Sequence, residues 1–130
     1  AEDYSGTKTA ALANYSAGMA YLNLGKFKEA IKHLEKFDSE DLILKATSLG
    51  AIGDAFSELK QPNEAFEYYQ KAANHQKNDF TTPRFSYKAG LMALELGKKE
   101  EALKLFTDIK DNYKSSPEGM DVDFYIGMAQ

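Results

Sequence analysis

Side chains able to do acid–base, nucleophilic or metal chemistry are few in this 130-residue chain, and they stand apart. There is no cysteine, which removes thiol catalysis, disulfides and every thiolate metal site at once. Imidazole, which titrates nearest neutrality, occurs only at His33 and His75, and each reads as a solvated surface residue rather than a base or ligand. Two short acidic runs, Asp38-Ser39-Glu40-Asp41 and Asp121-Val122-Asp123, offer oxygen ligands. A calcium loop needs a glycine and a closing glutamate at fixed offsets, and neither run supplies them. The first run reads instead as a helix entry, where carboxylates meet the positive end of the helix dipole. Gly50-Ala51-Ile52-Gly53 lacks the lysine and third glycine of a phosphate-cradling loop and reads as helix packing. Asn14-Tyr15-Ser16 spells a glycosylation sequon, but inside an expected helix. The expectation is no catalytic residue, no metal, no cofactor and no enzyme.

The charge balance narrows the partners. Sixteen Lys plus Arg against 20 Asp plus Glu leave a formal charge of −4. Phosphate neutralisation wants a concentrated basic face, so nucleic acid is excluded as the main partner. Arg84 is the single arginine and the rest of the positive charge is lysine. No apolar run approaches the roughly 20 residues that span a bilayer.

What remains is the set of elements that would position a binding surface, and these repeat. Gly18, Gly53, Gly90 and Gly127 lie 35, 37 and 37 residues apart, and Ala30, Ala65 and Ala102 each follow a glycine by twelve. Four residues after each alanine stands a large side chain, Leu34, Tyr69 or Phe106, and three later come Phe37, Ala72 and Ile109. Offsets of three and four trace one face of a helix. Leu24-Gly25 and Leu96-Gly97 read as left-handed helix ends. Thr82-Pro83 and Ser116-Pro117 read as an N-cap followed by proline at the first helical position, and Asn63 as another start. Seven helices are expected, at 8–24, 27–37, 42–59, 63–76, 83–96, 99–113 and 117–129, with no strand. The small residues at Gly18, Gly53 and Gly90 let paired helices approach closely, and the large ones fill the space between pairs.

These residues resemble the tetratricopeptide repeat, a 34-residue helix–turn–helix unit with small, aromatic and alanine positions in this order. Gly18, Tyr21, Ala30 and Leu34 match in the first unit; Gly53, Phe56, Ala65, Tyr69 and Ala72 in the second; Gly90, Ala102 and Phe106 in the third. Ala93 replaces the usual aromatic there, and Phe37 and Ile109 stand where alanine is usual. The resemblance implies an all-α solenoid over residues 11–130. Its repeats would span about 11–45, 46–82 and 83–119, with a capping helix at 117–130 and a segment 1–10 before it. Residues 1–8 would drape over the N-terminal edge or follow a removed helix.

The resemblance also implies a groove walled by the first helix of each unit. Carried over residue by residue, the wall receives Leu12, Tyr15, Met19, Leu22 and Asn23, then Thr47, Gly50, Asp54, Ser57 and Glu58. Arg84, Tyr87, Leu91, Leu94 and Glu95 follow, then Asp121, Phe124 and Met128. Members that clamp a terminal carboxylate carry several basic and amide groups here, whereas this chain offers only Arg84 with Lys88. The expected site is therefore an aromatic and methionine-bearing surface, Tyr15, Met19, Leu22, Tyr87, Leu91, Phe124 and Met128, around a polar centre at Asp54 with Arg84 beside it. A peptide segment of a partner protein would lie there. The competing reading packs the same residues between first helices.

The run Leu105 to Pro117 further resembles bacterial cell-envelope members, in which a helix ends in Tyr-Pro-x-Ser; here Lys114 stands in place of that proline. That implies a periplasmic or membrane-tethered scaffold beside secretion or outer-membrane assembly machinery, with an anchor upstream of residue 1. A cytoplasmic location is the alternative, since absence of cysteine suits either compartment. The other functional reading is a homo-oligomer formed through the N-terminal edge around Ala11, Leu12 and Tyr15.

Overall fold

Three turns of one design set the path of the chain. At the first, the Gly25 N–H donates to the Leu22 carbonyl (3.1 Å) and the Lys26 N–H to that of Tyr21 (2.9 Å), closing a helix with the six-to-one and five-to-two bonds of a Schellman end. Lys60 and Gln61 repeat this pattern on Ser57 and Phe56, as do Gly97 and Lys98 on Leu94 and Ala93. The pivot residue must be left-handed, and φ is +76° at Gly25 and Gly97 and +62° at Lys60. A side chain in that region costs about 1–2 kcal/mol. Lys60 is exposed, so Lys60→Gly is expected to stabilise the fold by about 0.5–1 kcal/mol, read as a higher urea midpoint.

The computed structural model describes residues 7–130. They form α1 (Lys8–Asn23), α2 (Phe27–Glu35), α3 (Leu42–Glu58), α4 (Pro62–Asn74), α5 (Thr81–Glu95), α6 (Lys99–Asn112) and α7 (Pro117–Ala129). Of the segment expected to cover the N-terminal edge, residues 1–6 fall outside that range. Three starts are capped as their residue types dictate. Thr7 Oγ1 accepts the Ala10 N–H (3.1 Å), Asp41 accepts those of Ile43 and Leu44 (3.0 Å each), and Ser116 Oγ accepts that of Gly119 (3.0 Å).

Two starts differ from expectation. α4 begins at Pro62 rather than Asn63, because a proline at the first position gives up an N–H that has no helical partner anyway. α5 begins at Thr81, two residues before the expected Pro83. Asn78 Oδ1 accepts the N–H groups of Phe80 and Thr81 (2.8 Å each), doing from upstream what Thr82 was expected to do. Thr82 instead turns inward: its hydroxyl donates to the Ala73 carbonyl and accepts the Asn78 N–H, both at 2.9 Å, tying α4 to α5.

Packing follows the glycines. A Cβ on Gly18 would lie 2.5 Å from Leu34, one on Gly53 2.7 Å from Tyr69, and one on Gly90 2.6 Å from Phe106. Each seam thus seats a large side chain, sixteen residues further along, directly on backbone. Leu34, Tyr69 and Phe106 are buried, and around them three apolar clusters run along the array rather than one central core. Phe37 and Ile109 are buried as well. α7 closes the last cluster with Val122 and Ala129. The backbones of the first helices α1, α3, α5 and α7 approach one another in succession, whereas α2, α4 and α6 meet only through side chains, as where the Tyr68 hydroxyl of α4 donates to Glu35 of α2 (3.3 Å). An array packed in this way draws together on the side of its first helices, which form its inner wall.

Candidate functional site

The inner wall has a floor, a polar centre and a few projecting side chains. Tyr15, Met19 and Leu22 of α1 are half-buried in the cluster that holds Ile31, Leu34 and Ile52, and the Tyr15 ring lies 5.0 Å from that of Phe37. Tyr87 and Leu91 of α5 are half-buried in the cluster around Phe106 and Val122. Tyr87 meets Phe106 and Tyr125 edge-on, with centroids 6.2 and 5.5 Å away. These five therefore seal the joints between units and show only part of their surface to the groove. Gly50 contributes no side chain because Phe85 of α5 occupies the space beside it.

Phe124 and Met128 of α7 project, at 68% and 50% exposure, and Leu12 at the far end is 49% exposed. Arg84 is exposed, its guanidinium carbon 5.2 Å from the ring of the neighbouring Phe85, and no carboxylate pairs with it among the described residues. The structure thus places a solvated cation and two projecting apolar side chains on α5 and α7, with Leu12 projecting from α1, while Tyr15, Met19, Leu22, Tyr87 and Leu91 are floor.

At the centre, one carboxylate joins three helices. Asp54 Oδ1 of α3 accepts the Tyr69 hydroxyl of α4 at 2.5 Å and the Lys88 ammonium of α5 at 2.8 Å. Lys88 was paired with Arg84 by sequence, as a basic couple; its charge is instead bound to Asp54, 34 residues away. That spacing is one repeat, so the signal lay in the register of neighbouring first helices. Tyr69 is held well above the usual phenol range by burial first, then by its hydrogen bond to Asp54 and the charge of that carboxylate. Burial, with hydrogen bonding to Tyr125, pushes Tyr87 up to about 12.

Both shifts set a pH dependence. An unfolded phenol ionises near 10, so above that pH the unfolded chain sheds protons that the folded chain keeps. The stabilisation is complete below about pH 10 and is lost as pH rises from there through the folded values. Urea midpoints are expected to fall between about pH 10 and 12, and to fall less in a Tyr69→Phe, Tyr87→Phe double variant.

Neither histidine is the solvated residue its sequence context suggested. His33 stacks on Tyr21 (5.3 Å, 21°) with Nδ1 3.2 Å from the Asn14 amide oxygen, so it packs α2 onto α1 and draws in the sequon asparagine. His75 sits half-buried at the end of α4, its Nε2 without a hydrogen bond. Among the described residues, no three His, Cys, Asp or Glu side chains gather as a metal ion requires, and no helix is long and apolar enough to cross a membrane. Two hollows of about 580 and 500 Å³ lie off the wall, along the edge where each unit hands over to the next. One runs between Thr7–Leu12 and Phe37–Leu44, and the other lies beside Phe80 and Tyr113–Pro117; both are open to solvent.

Comparison with known families agrees with this geometry. A tetratricopeptide repeat model matches residues 11–41 and 46–79, and a second model of the same repeat matches residues 86–116. The chain belongs to the tetratricopeptide repeat family. No curated protein matches it. Among solved structures it is similar to the crystal structure of PcrH in complex with the chaperone binding region of PopB, with a TM-score of 0.72 and 20% identity over 95% of this chain and 97% of that one. At that identity the likeness is one of fold. Within the tetratricopeptide repeat pattern, the third unit carries buried Ala93 in place of an aromatic, and the cluster around it takes its aromatic bulk from Phe106 stacked on Tyr125 (5.5 Å).

Proposed function

We propose that the chain is a non-catalytic interaction scaffold whose inner wall takes a peptide segment of a partner protein. The observation that carries this reading is the exposure of Phe124 and Met128 on α7 together with that of Arg84 on α5, which no carboxylate pairs with among the described residues. Exposed apolar side chains and a solvated cation on one wall suit a segment with apolar anchors and an acidic group. The solved neighbour is a chaperone held with a region of another protein, which supports the same mode. Asp54 and Lys88 neutralise each other at the centre, so a carboxylate clamp is not part of this proposal.

An Arg84→Glu, Phe124→Ser double variant tests it. Both side chains are exposed, so the melting temperature is expected to stay within a few degrees of the parent while recovery of the partner drops at least about tenfold. Unchanged recovery per folded molecule would refute the groove. We place the scaffold in the bacterial cell envelope, periplasmic or tethered beside secretion or outer-membrane assembly machinery, on the resemblance of the Leu105–Pro117 run. Fractionation of the source cell decides between that and the cytoplasm. Exposed Leu12 supports a second reading, self-association through the N-terminal edge, and concentration-dependent sedimentation would reveal it.

A further inference from the structure

α5 carries its charges in the reverse of the order that its own dipole favours. Arg84 stands in its first turn, at the positive backbone end, and Glu95 is its last residue, at the negative end. α3 likewise ends on Glu58, and neither helix has a basic residue in its last turn. The outer helices follow the favoured order: α2, α4 and α6 each have glutamate in the first turn and lysine in the last. Arg84, Glu58 and Glu95 are exposed, and none is in an ion pair among the described residues. Charges so placed weaken the helices that bear them, so helix stability is not what they serve.

Their placement is regular. Arg84 and Glu95 are eleven residues apart, hence three turns along one stripe and about 16 Å from each other, with Tyr87 and Leu91 between them. Glu58 holds on α3 the place that Glu95 holds on α5, one repeat later. α3 and α5 are interior helices of the wall, with α1 beyond one and α7 beyond the other. Nearby lysines leave the glutamates uncompensated: Lys88 is bound to Asp54 at 2.8 Å, Lys98 lies 5.8 Å from the ring centroid of Phe66 on α4, and Lys60 makes no ion pair. At the level of Arg84, α3 contributes uncharged Thr47, and Asp121 of α7 makes no pair with the guanidinium. Resting on the reading of the inner wall as the binding face, we infer that the trough between α3 and α5 takes a three-turn helix of a partner protein in one direction, antiparallel to both. Two basic residues in its first turn meet Glu58 and Glu95, apolar residues beyond them cover Leu91 and then Tyr87, and an acidic residue three turns along meets Arg84. That direction also brings the positive backbone end of the segment to the negative ends of α3 and α5.

The probe is a peptide of about fourteen residues, stapled on its outer face to hold it helical, with lysines first and fourth, leucines fifth and eighth, glutamate twelfth and alanine elsewhere. Titrated into the full chain by calorimetry, it is expected to bind one to one. Glu58→Lys together with Glu95→Lys should weaken it at least about tenfold. The same double variant should melt no lower than the parent, because cations suit those helix ends, whereas a structural role for the glutamates would lower its melting temperature. A peptide with glutamates in place of its two lysines should regain the lost affinity on the double variant. A nitroxide at the N-terminus of the first peptide should broaden the amides at the C-terminal ends of α3 and α5 and spare the start of α5. The proposal is overturned by any of four results: no binding of the first peptide, undiminished binding to the double variant, no rescue by the exchanged peptide, or broadening at the start of α5. The groove reading fails separately. A partner lost with Arg84→Glu and Phe124→Ser but kept with Glu58→Lys and Glu95→Lys leaves the groove standing and removes the acidic end from it.

Discussion

Phe106→Ala is expected to destabilise the fold by about 3–5 kcal/mol, the largest effect of any single truncation proposed here. The ring is fully buried and fills the Gly90 seam, stacks on Tyr125 and meets Tyr87 edge-on. Its removal leaves a cavity at the one place where α5, α6 and α7 converge, and the backbone there cannot collapse without pulling α7 off the third unit. In a repeat array each unit is held by its neighbours. The loss should therefore appear first as faster amide exchange in α7 and then as a lower urea midpoint for the whole chain. Phe124→Ala, one helix turn from Met128 on the exposed side, is the control and is expected to change stability by no more than about 0.5 kcal/mol. A loss near 1 kcal/mol for Phe106→Ala would mean that the seam repacks and that the glycine rule is weaker than argued.

Gly50→Ala should carry the opposite sign from the usual helix substitution. Alanine in place of glycine inside a helix ordinarily stabilises by about 1 kcal/mol. At Gly50 the new Cβ would lie 2.0 and 2.3 Å from two ring carbons of Phe85, a side chain only 2% exposed on α5. Neither helix can move apart without opening the joint between the first and second helices on both sides. Overpacking is expected to override the propensity gain and give a net loss of about 1–3 kcal/mol. At Gly127 the same change enters open space and should give the full gain. Thermal denaturation of the two variants side by side reads the difference, and equal shifts would contradict the packing described.

The repeat was legible because its seams require particular sizes at fixed spacing: glycine, then alanine, then a large side chain recur in Gly18, Ala30 and Leu34 and twice more. Seven helices followed from that, as did the packing of the seventh on the third unit. Boundaries were less legible where a side chain outside the helix makes the cap, as Asn78 does for α5. The turn at Lys60 escaped notice because glycine marks the left-handed position in the other two units and a lysine tolerates it here at a cost. Within the site, apolar spacing located the wall but could not separate floor from projection. Tyr15 and Phe124 occupy corresponding places; one has Phe37 packed on it and the other is 68% exposed. Asp54 and Lys88 were each visible as inner-wall residues, but their pairing depends on the reach of a lysine across two helices, which no local pattern encodes.

The central claim is that partners are held by the wall of first helices and not by the outer helices. Photocrosslinking in the source cell tests it most directly, with a benzophenone amino acid placed in turn at Arg84 and Glu58 on the inner wall and at Lys32 and Lys104 on α2 and α6, all four exposed. Crosslinks to one common protein are expected from Arg84 and Glu58, and none to it from Lys32 or Lys104. Crosslinks to the same protein from the outer pair, with the inner pair silent, would contradict it.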